Sequence, residues 1–176
     1  MDVQEHIDSL NWAVKDIDGH GVLRFARAIA DTNGTVYVIG NGGSASNAEH
    51  AVNDFLKVAG VRCMALTSVA PLTAYANDTS YAESFVAQFN TLSRPGDTLL
   101  AISVSGCSPN IMRAIEAAEG RGNESLLLMG RPTPDNAHAR ELANDYICVH
   151  EADYGIVETV HQGMLHIMAI AAKELL

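Results

Sequence analysis

His50 and Asp54 stand four residues apart, and Glu158, Gln162 and His166 repeat the same step. A four-residue step brings side chains onto one face of an α-helix, so each set would form a stripe. Imidazoles and carboxylates arranged this way can hold a divalent ion or pass a proton. A blander reading competes with that one. A histidine in an apolar stretch such as HQGMLHIMAI is more often a hydrogen-bonded core residue than a ligand, and spacing alone leaves the choice open for His166. His161 reads as structural or as support for a neighbouring ligand, and His6, His20, His138 and His150 show no constellation and read as solvated.

Two loops offer a different chemistry. The run TVYVIGNGGS ends in Gly40, Gly42 and Gly43, and glycines after a strand let a phosphate approach backbone amides. With Ala45 these residues also satisfy GxGxx(G/A), the dinucleotide pattern, which needs an acidic residue about 20 positions on to hold the ribose. There is no Asp or Glu from Phe55 through Asn77, which counts against a dinucleotide. In ISVSGCSPN, Ser103, Ser105 and Ser108 leave an apolar run and lead into a helical segment. One serine there would be a cap. Three serines and a glycine suit a phosphate held by hydroxyls, free amides and the positive end of a helix dipole.

The elements that must position these groups alternate along the chain. Apolar runs at 35–40, 62–67, 98–105, 124–129 and 145–149 lack a polar face, as expected of strands covered on both sides. Periodicity predicts helices over 46–58, 81–92, 109–120 and 157–176, and a helical N-terminal segment over 1–31 broken near DIDGHG. Ser80 with Glu83 predicts a capping box, and Ser108 followed by Pro109 an N-cap and first-turn pair. This alternation predicts an α/β fold, a doubly wound, flavodoxin-like three-layer sandwich on a five-stranded parallel sheet. Ligands in such folds bind beyond the carboxyl ends of the strands.

Bulk properties set limits. The 176 residues suffice for one domain, 1–176, with a real core. With 48% apolar and 18% charged residues, no membrane-length run and no signal-peptide pattern in MDVQEHIDSL, the expectation is a cytoplasmic protein without a membrane partner. Cys63, Cys107 and Cys148 form neither a disulfide framework nor a zinc knuckle by spacing. A net charge of −10 argues against nucleic acid, but not against a small anion held locally by amides.

Taken together, GNGGS with His50 nine residues after Asn41, AND at 76–78, ISVSGCS, and a last helix carrying His161 and His166 resemble the sugar isomerase (SIS) domain family. The resemblance is to its phosphoheptose isomerase group and covers nearly the whole chain. It implies the SIS fold, a homotetramer with active sites at subunit interfaces, and isomerisation of sedoheptulose 7-phosphate to heptose 7-phosphate. By the same resemblance Asn41, Gly42, Gly43, Ser44, Asn77 and Asp78 would touch the sugar phosphate. Ser103, Val104, Ser105 and Ser108 would cradle it. His50, Asp54, Glu158 and His166 would hold zinc or another divalent metal, with Glu158 also facing substrate. Three positions depart from the group's pattern: Asp54 replaces a glutamate, Glu158 a glutamine and Gly155 an aspartate.

Aldose–ketose isomerisation needs a base at the carbon next to a carbonyl and a proton donor at the oxygen. The expected pair is Asp54 and His166, on opposite sides of the substrate. Aspartate for glutamate shortens the reach by a methylene. Glutamate for glutamine adds charge, which should strengthen metal binding and weaken the metal's pull on a carbonyl. Two alternatives stand beside this reading: an eight-carbon sugar phosphate as substrate, and a non-catalytic sugar-phosphate-binding or protein-binding adaptor. The N-terminal segment, with Trp12, Val14, Ile17 and Phe25, is the expected oligomer contact, or else simply a cover for the sheet.

Overall fold

Successive strand residues point to opposite faces of a sheet, and here both faces are apolar. The structure, a computed structural model, describes residues 2–176. Its strands are β1 Val36–Gly40, β2 Cys63–Ala65, β3 Thr98–Ser103, β4 Glu124–Met129 and β5 Asp145–Cys148. They form one parallel sheet in the order β2-β1-β3-β4-β5. Among the described residues eight α-helices cover it: α1 Val3–Lys15, α2 Gly19–Asp31, α3 Gly43–Asp54, α4 Val69–Asp78, α5 Ser84–Leu92, α6 Pro109–Gly120, α7 Ala137–Leu142 and α8 Tyr154–Leu175. Val36, Val38, Leu100, Ile102, Leu126 and Leu128 face a core shared with α2, α3 and α8. Tyr37, Ile39, Leu99, Ala101, Leu127 and Met129 face a second core under α5, α6 and α7. The expected three layers and parallel sheet are therefore present.

Several local expectations are corrected. The apolar run at 62–67 pairs over only three residues, and the AND segment ends a full helix, α4, that the periodicity did not announce. Pro71 lies in the first turn of α4, where its missing N–H costs little. Ser80 forms no side-chain cap. Its expected partner Glu83 is instead paired with Arg113 across to α6. Phe25 is fully buried in the chain's own core, while Trp12 and Val14 are about half exposed, so the apolar surface of the N-terminal segment is narrower than expected. His150 is not merely solvated but pairs with Asp16 at 2.8 Å. No helix among the described residues is long and apolar enough to cross a membrane.

His161 sits on the buried face of α8, with Nε2 3.2 Å from the Met129 carbonyl oxygen at the end of β4. Burial pushes its pKa down from 6.5 to about 4. Between those values the unfolded chain binds a proton that the native chain refuses. Native stability is thus whole above pH 6.5 and falls as pH drops toward 4. By pH 5 the loss from this group is on the order of 2 kcal/mol. Urea unfolding at neutral pH and at pH 5 should show that loss in the parent chain and a clearly smaller one in His161→Gln. Equal losses in both would remove His161 as the cause.

Candidate active site

In a sheet of this order, the connections leaving β1 and β3 run to opposite sides, and a crevice opens between them. Gly40 at the tip of β1 is level with Ile102 near the tip of β3. The chain then folds back so sharply that a Cβ on Gly40 would lie 2.5 Å from the Ser44 carbonyl oxygen. Gly42, at φ +56°, takes the left-handed conformation that favours glycine and leads into α3. Asn41 spans the crevice: its amide exchanges two 2.9 Å hydrogen bonds with the Asn110 amide in α6. The Tyr81 hydroxyl donates a further bond to Asn41 Oδ1, at 2.7 Å. Asn110 and Tyr81 escaped sequence reasoning because nothing in their spacing marks them. They fix the loop through contacts remote in sequence.

A cleft of about 60 Å³ lies in the crevice, lined by Asn41, Ser44, Ser103, Val104, Ser105, Ser108 and Glu158, with Ile102 and Tyr154. The serine loop is pre-shaped. Ser103 Oγ accepts a 3.1 Å hydrogen bond from the Gly106 amide, and the hydroxyls of Ser105 and Ser108 lie 3.4 Å apart. Ser108 caps the position before α6 without using its side chain on the helix, so its hydroxyl stays available to a ligand. Glu158 is packed against Gly43, where any Cβ would collide with its carboxylate. That carboxylate shares the cleft with the serines and the first turn of α3.

The second cluster lies farther along the same two helices. α3 and α8 run side by side in the same direction: Asn47 donates to the Glu158 carbonyl at 2.8 Å, and Asp54 meets His166 further on. His166 Nδ1 is 2.7 Å and His50 Nε2 3.7 Å from Asp54 Oδ2. The two imidazoles meet edge to face, 4.9 Å between centres. Asp54 is 7% exposed, and its Oδ2 accepts no hydrogen bond despite the nearby ring nitrogen. A buried carboxylate oxygen without a donor, flanked by two ring nitrogens, is a donor set that suits a cation. One nitrogen or oxygen from each of His50, Asp54 and His166 can reach a single ion, so the donors fit zinc or a similar divalent metal. Asp54 also ends α3 at the point where the backbone widens into a π-turn, Phe55–Ala59. Such turns recur at functional sites.

The expected residues therefore fall into three places. The cleft gathers Asn41, Ser44, Ser103, Val104, Ser105, Ser108 and Glu158. Gly42 and Gly43, between Asn41 and Ser44 in the chain, do not line it, although Gly43 lies against the Glu158 carboxylate. The triad gathers His50, Asp54 and His166, and Glu158 is not among its converging donors. Asn77 and Asp78 lie at the exposed end of α4, hydrogen-bonded to each other at 2.8 Å, and do not line the cleft. Asp54 and His166 are in contact, which corrects their expected placement on opposite sides of a substrate within one chain. His50 and His166 are exposed while Asp54 between them is buried.

Residues 18–125 match the SIS domain family. A phosphoheptose isomerase from Thiobacillus denitrificans is 34% identical over 81% of this chain and 76% of its own length. One from Bordetella avium is 34% identical over 89% of this chain and 82% of its own. The solved structure of the phosphoheptose isomerase from Neisseria gonorrhoeae superimposes with a TM-score of 0.88 at 27% identity, covering 98% of this chain and 97% of that one.

Proposed function

The chain belongs to the SIS domain family, in its phosphoheptose isomerase group, and from that premise we propose that it interconverts sedoheptulose 7-phosphate and heptose 7-phosphate. The coarser statement, that it is a phosphosugar isomerase, follows from membership alone. The observation that carries the finer one is the convergence of His50, Asp54 and His166 at a fixed distance from the serine cleft. From Ser44 to His50 is six residues of α3, and from Glu158 to His166 eight of α8. At the α-helical rise that is about 9–12 Å, a span that matches an extended seven-carbon chain with a terminal phosphate better than a triose.

In this reading the hydroxyls of Ser103, Ser105 and Ser108 and the first turns of α3 and α6 hold the phosphate and orient the chain. Binding energy gained there serves the reaction at the other end. Coordination and proton transfer compete for the same lone pairs, so Asp54 and His166 alternate between them. Starting from the ketose, Asp54, when released, removes a proton from C1 and returns it to C2, and His166, when released, moves a proton between the two oxygens. A cis-enediol keeps both oxygens on one edge, so a carboxylate and an imidazole in mutual contact can serve both carbons and both oxygens. His50, Asp54 and His166 would hold zinc, which when bound polarises the carbonyl as a Lewis acid.

The site of action is the cytoplasm, and the working form is a homotetramer in which the chain, one SIS domain over 1–176, completes its active site at a subunit interface. Exposed Trp12 on α1, and exposed Ile167 and Ile170 close in sequence to the solvent-facing His166 on α8, support that assembly.

Incubation with sedoheptulose 7-phosphate and zinc in deuterated water tests the function. Deuterium at C2 of an aldose product is expected, and both it and bound zinc should be lost in His50→Ala. Phosphate binding with no zinc uptake and no exchange would leave an adaptor instead. Turnover of an eight-carbon ketose phosphate alone would move the substrate by one carbon.

A further inference from the structure

His166 brings Nδ1 to Asp54, at 2.7 Å, and turns its other nitrogen, Nε2, toward the Gln162 amide at 3.4 Å. An imidazole that offers Nδ1 to a cation carries its proton on Nε2, and that N–H needs an acceptor. Gln162, half-buried one turn earlier on α8, is the side chain facing it. A half-turn of the amide exchanges its oxygen and nitrogen, and with the oxygen toward the ring Gln162 accepts the proton. Two other polar side chains of α8 lie elsewhere: His161 is buried against the Met129 carbonyl, and the Glu158 carboxylate lies against Gly43.

We infer that Gln162 is the positioning residue that fixes His166 as the Nε2–H tautomer, leaving Nδ1 free for a divalent cation beside Asp54 and His50. The inference rests on the metal reading above, and it adds a residue that contributes no atom to the cation. Partners of this kind orient the ring and raise its basicity, and their loss typically costs about 10–100-fold in metal affinity. A leucine at 162 keeps most of the volume and removes the acceptor. A glutamate keeps the acceptor and cannot present a donor to the ring.

Zinc affinities of metal-free parent, Gln162→Leu, Gln162→Glu and His50→Ala, measured by competition with a chromophoric chelator, test it. Gln162→Leu should bind about 10–100-fold more weakly, and Gln162→Glu should match the parent or exceed it. A merely structural glutamine would not give that rescue. Heteronuclear spectra of the zinc-loaded parent should show the His166 proton on Nε2, a readout that needs no variant. Parental affinity in Gln162→Leu, or a proton on Nδ1 in the loaded parent, overturns the role of Gln162 while the metal site stands. Equally weak binding by parent and His50→Ala overturns the metal reading, and this inference with it.

Discussion

Asp54→Asn is expected to lower turnover by about 10²–10⁴-fold, the range by which a positioned acid–base group contributes, and to remove stoichiometric zinc. Asparagine preserves the volume at a site that is only 7% exposed, so packing around the end of α3 is retained. What disappears is the anion. Asp54 Oδ2 is the point on which His166 Nδ1 and His50 Nε2 converge, at 2.7 and 3.7 Å, and no backbone or side-chain donor satisfies it otherwise. An amide there can neither take a proton from carbon nor balance a divalent charge.

Compared with the metal-free parent, the thermal midpoint should hold steady or rise, since a buried carboxylate that lacks its ion carries a desolvation cost that asparagine avoids. Circular dichroism and phosphate binding should stay parental. Deuterium exchange at C2 and zinc content are the measurements that decide. Parental exchange in Asp54→Asn would move the base to another residue, and intact zinc with lost exchange would separate the proton chemistry from the metal.

The His50/Asp54 half of this site was readable from a four-residue step on one helix, because i, i+4 spacing fixes a shared face whatever the helix packs against. The pairing of that stripe with His166 was not. It depends on α3 and α8 lying side by side, a tertiary fact that enters sequence only through resemblance. The glycine and serine loops were legible because glycine and serine at strand tips answer local demands: the tight fold-back at Gly40, the left-handed Gly42, and the serines before α6.

α4 was missed for the opposite reason. It buries none of its residues fully, so it shows no apolar stripe of helical period. The Ser80/Glu83 pattern misled because Glu83 found a stronger partner in Arg113, 30 positions on by sequence and adjacent only in the fold. Glu158 shows the same limit. Stripe membership with Gln162 and His166 places it on a face of α8 but not at a height, and the structure seats its carboxylate in the serine-lined cleft against Gly43.

That seat makes Glu158→Gln the change expected to improve the protein as a binder, tightening its hold on inorganic phosphate and on sugar phosphates by about 10-fold or more. The cleft measures only about 60 Å³, and Glu158 lines it together with Ser103, Ser105 and Ser108. A bound phosphate monoester brings a charge of roughly −1.5 to −2. Two like unit charges 4 Å apart at a partly screened site cost about 4 kcal/mol. Separation by a further few ångströms, with solvent nearby, still leaves on the order of 1.4 kcal/mol, which is tenfold in affinity.

The carboxylate also lies against the first turn of α3, at Gly43, where it competes with the incoming anion for the positive end of that helix. Glutamine keeps the shape and drops the competition. Calorimetric titration with phosphate at low ionic strength should show the gain, and added salt should shrink it, as screening requires. Zinc affinity should be unchanged, because the donors that converge on Asp54 are His50 and His166. Were Glu158→Gln instead to weaken zinc and leave phosphate binding where it was, Glu158 would belong to the metal end in the assembled protein. The phosphate would then sit clear of its carboxylate.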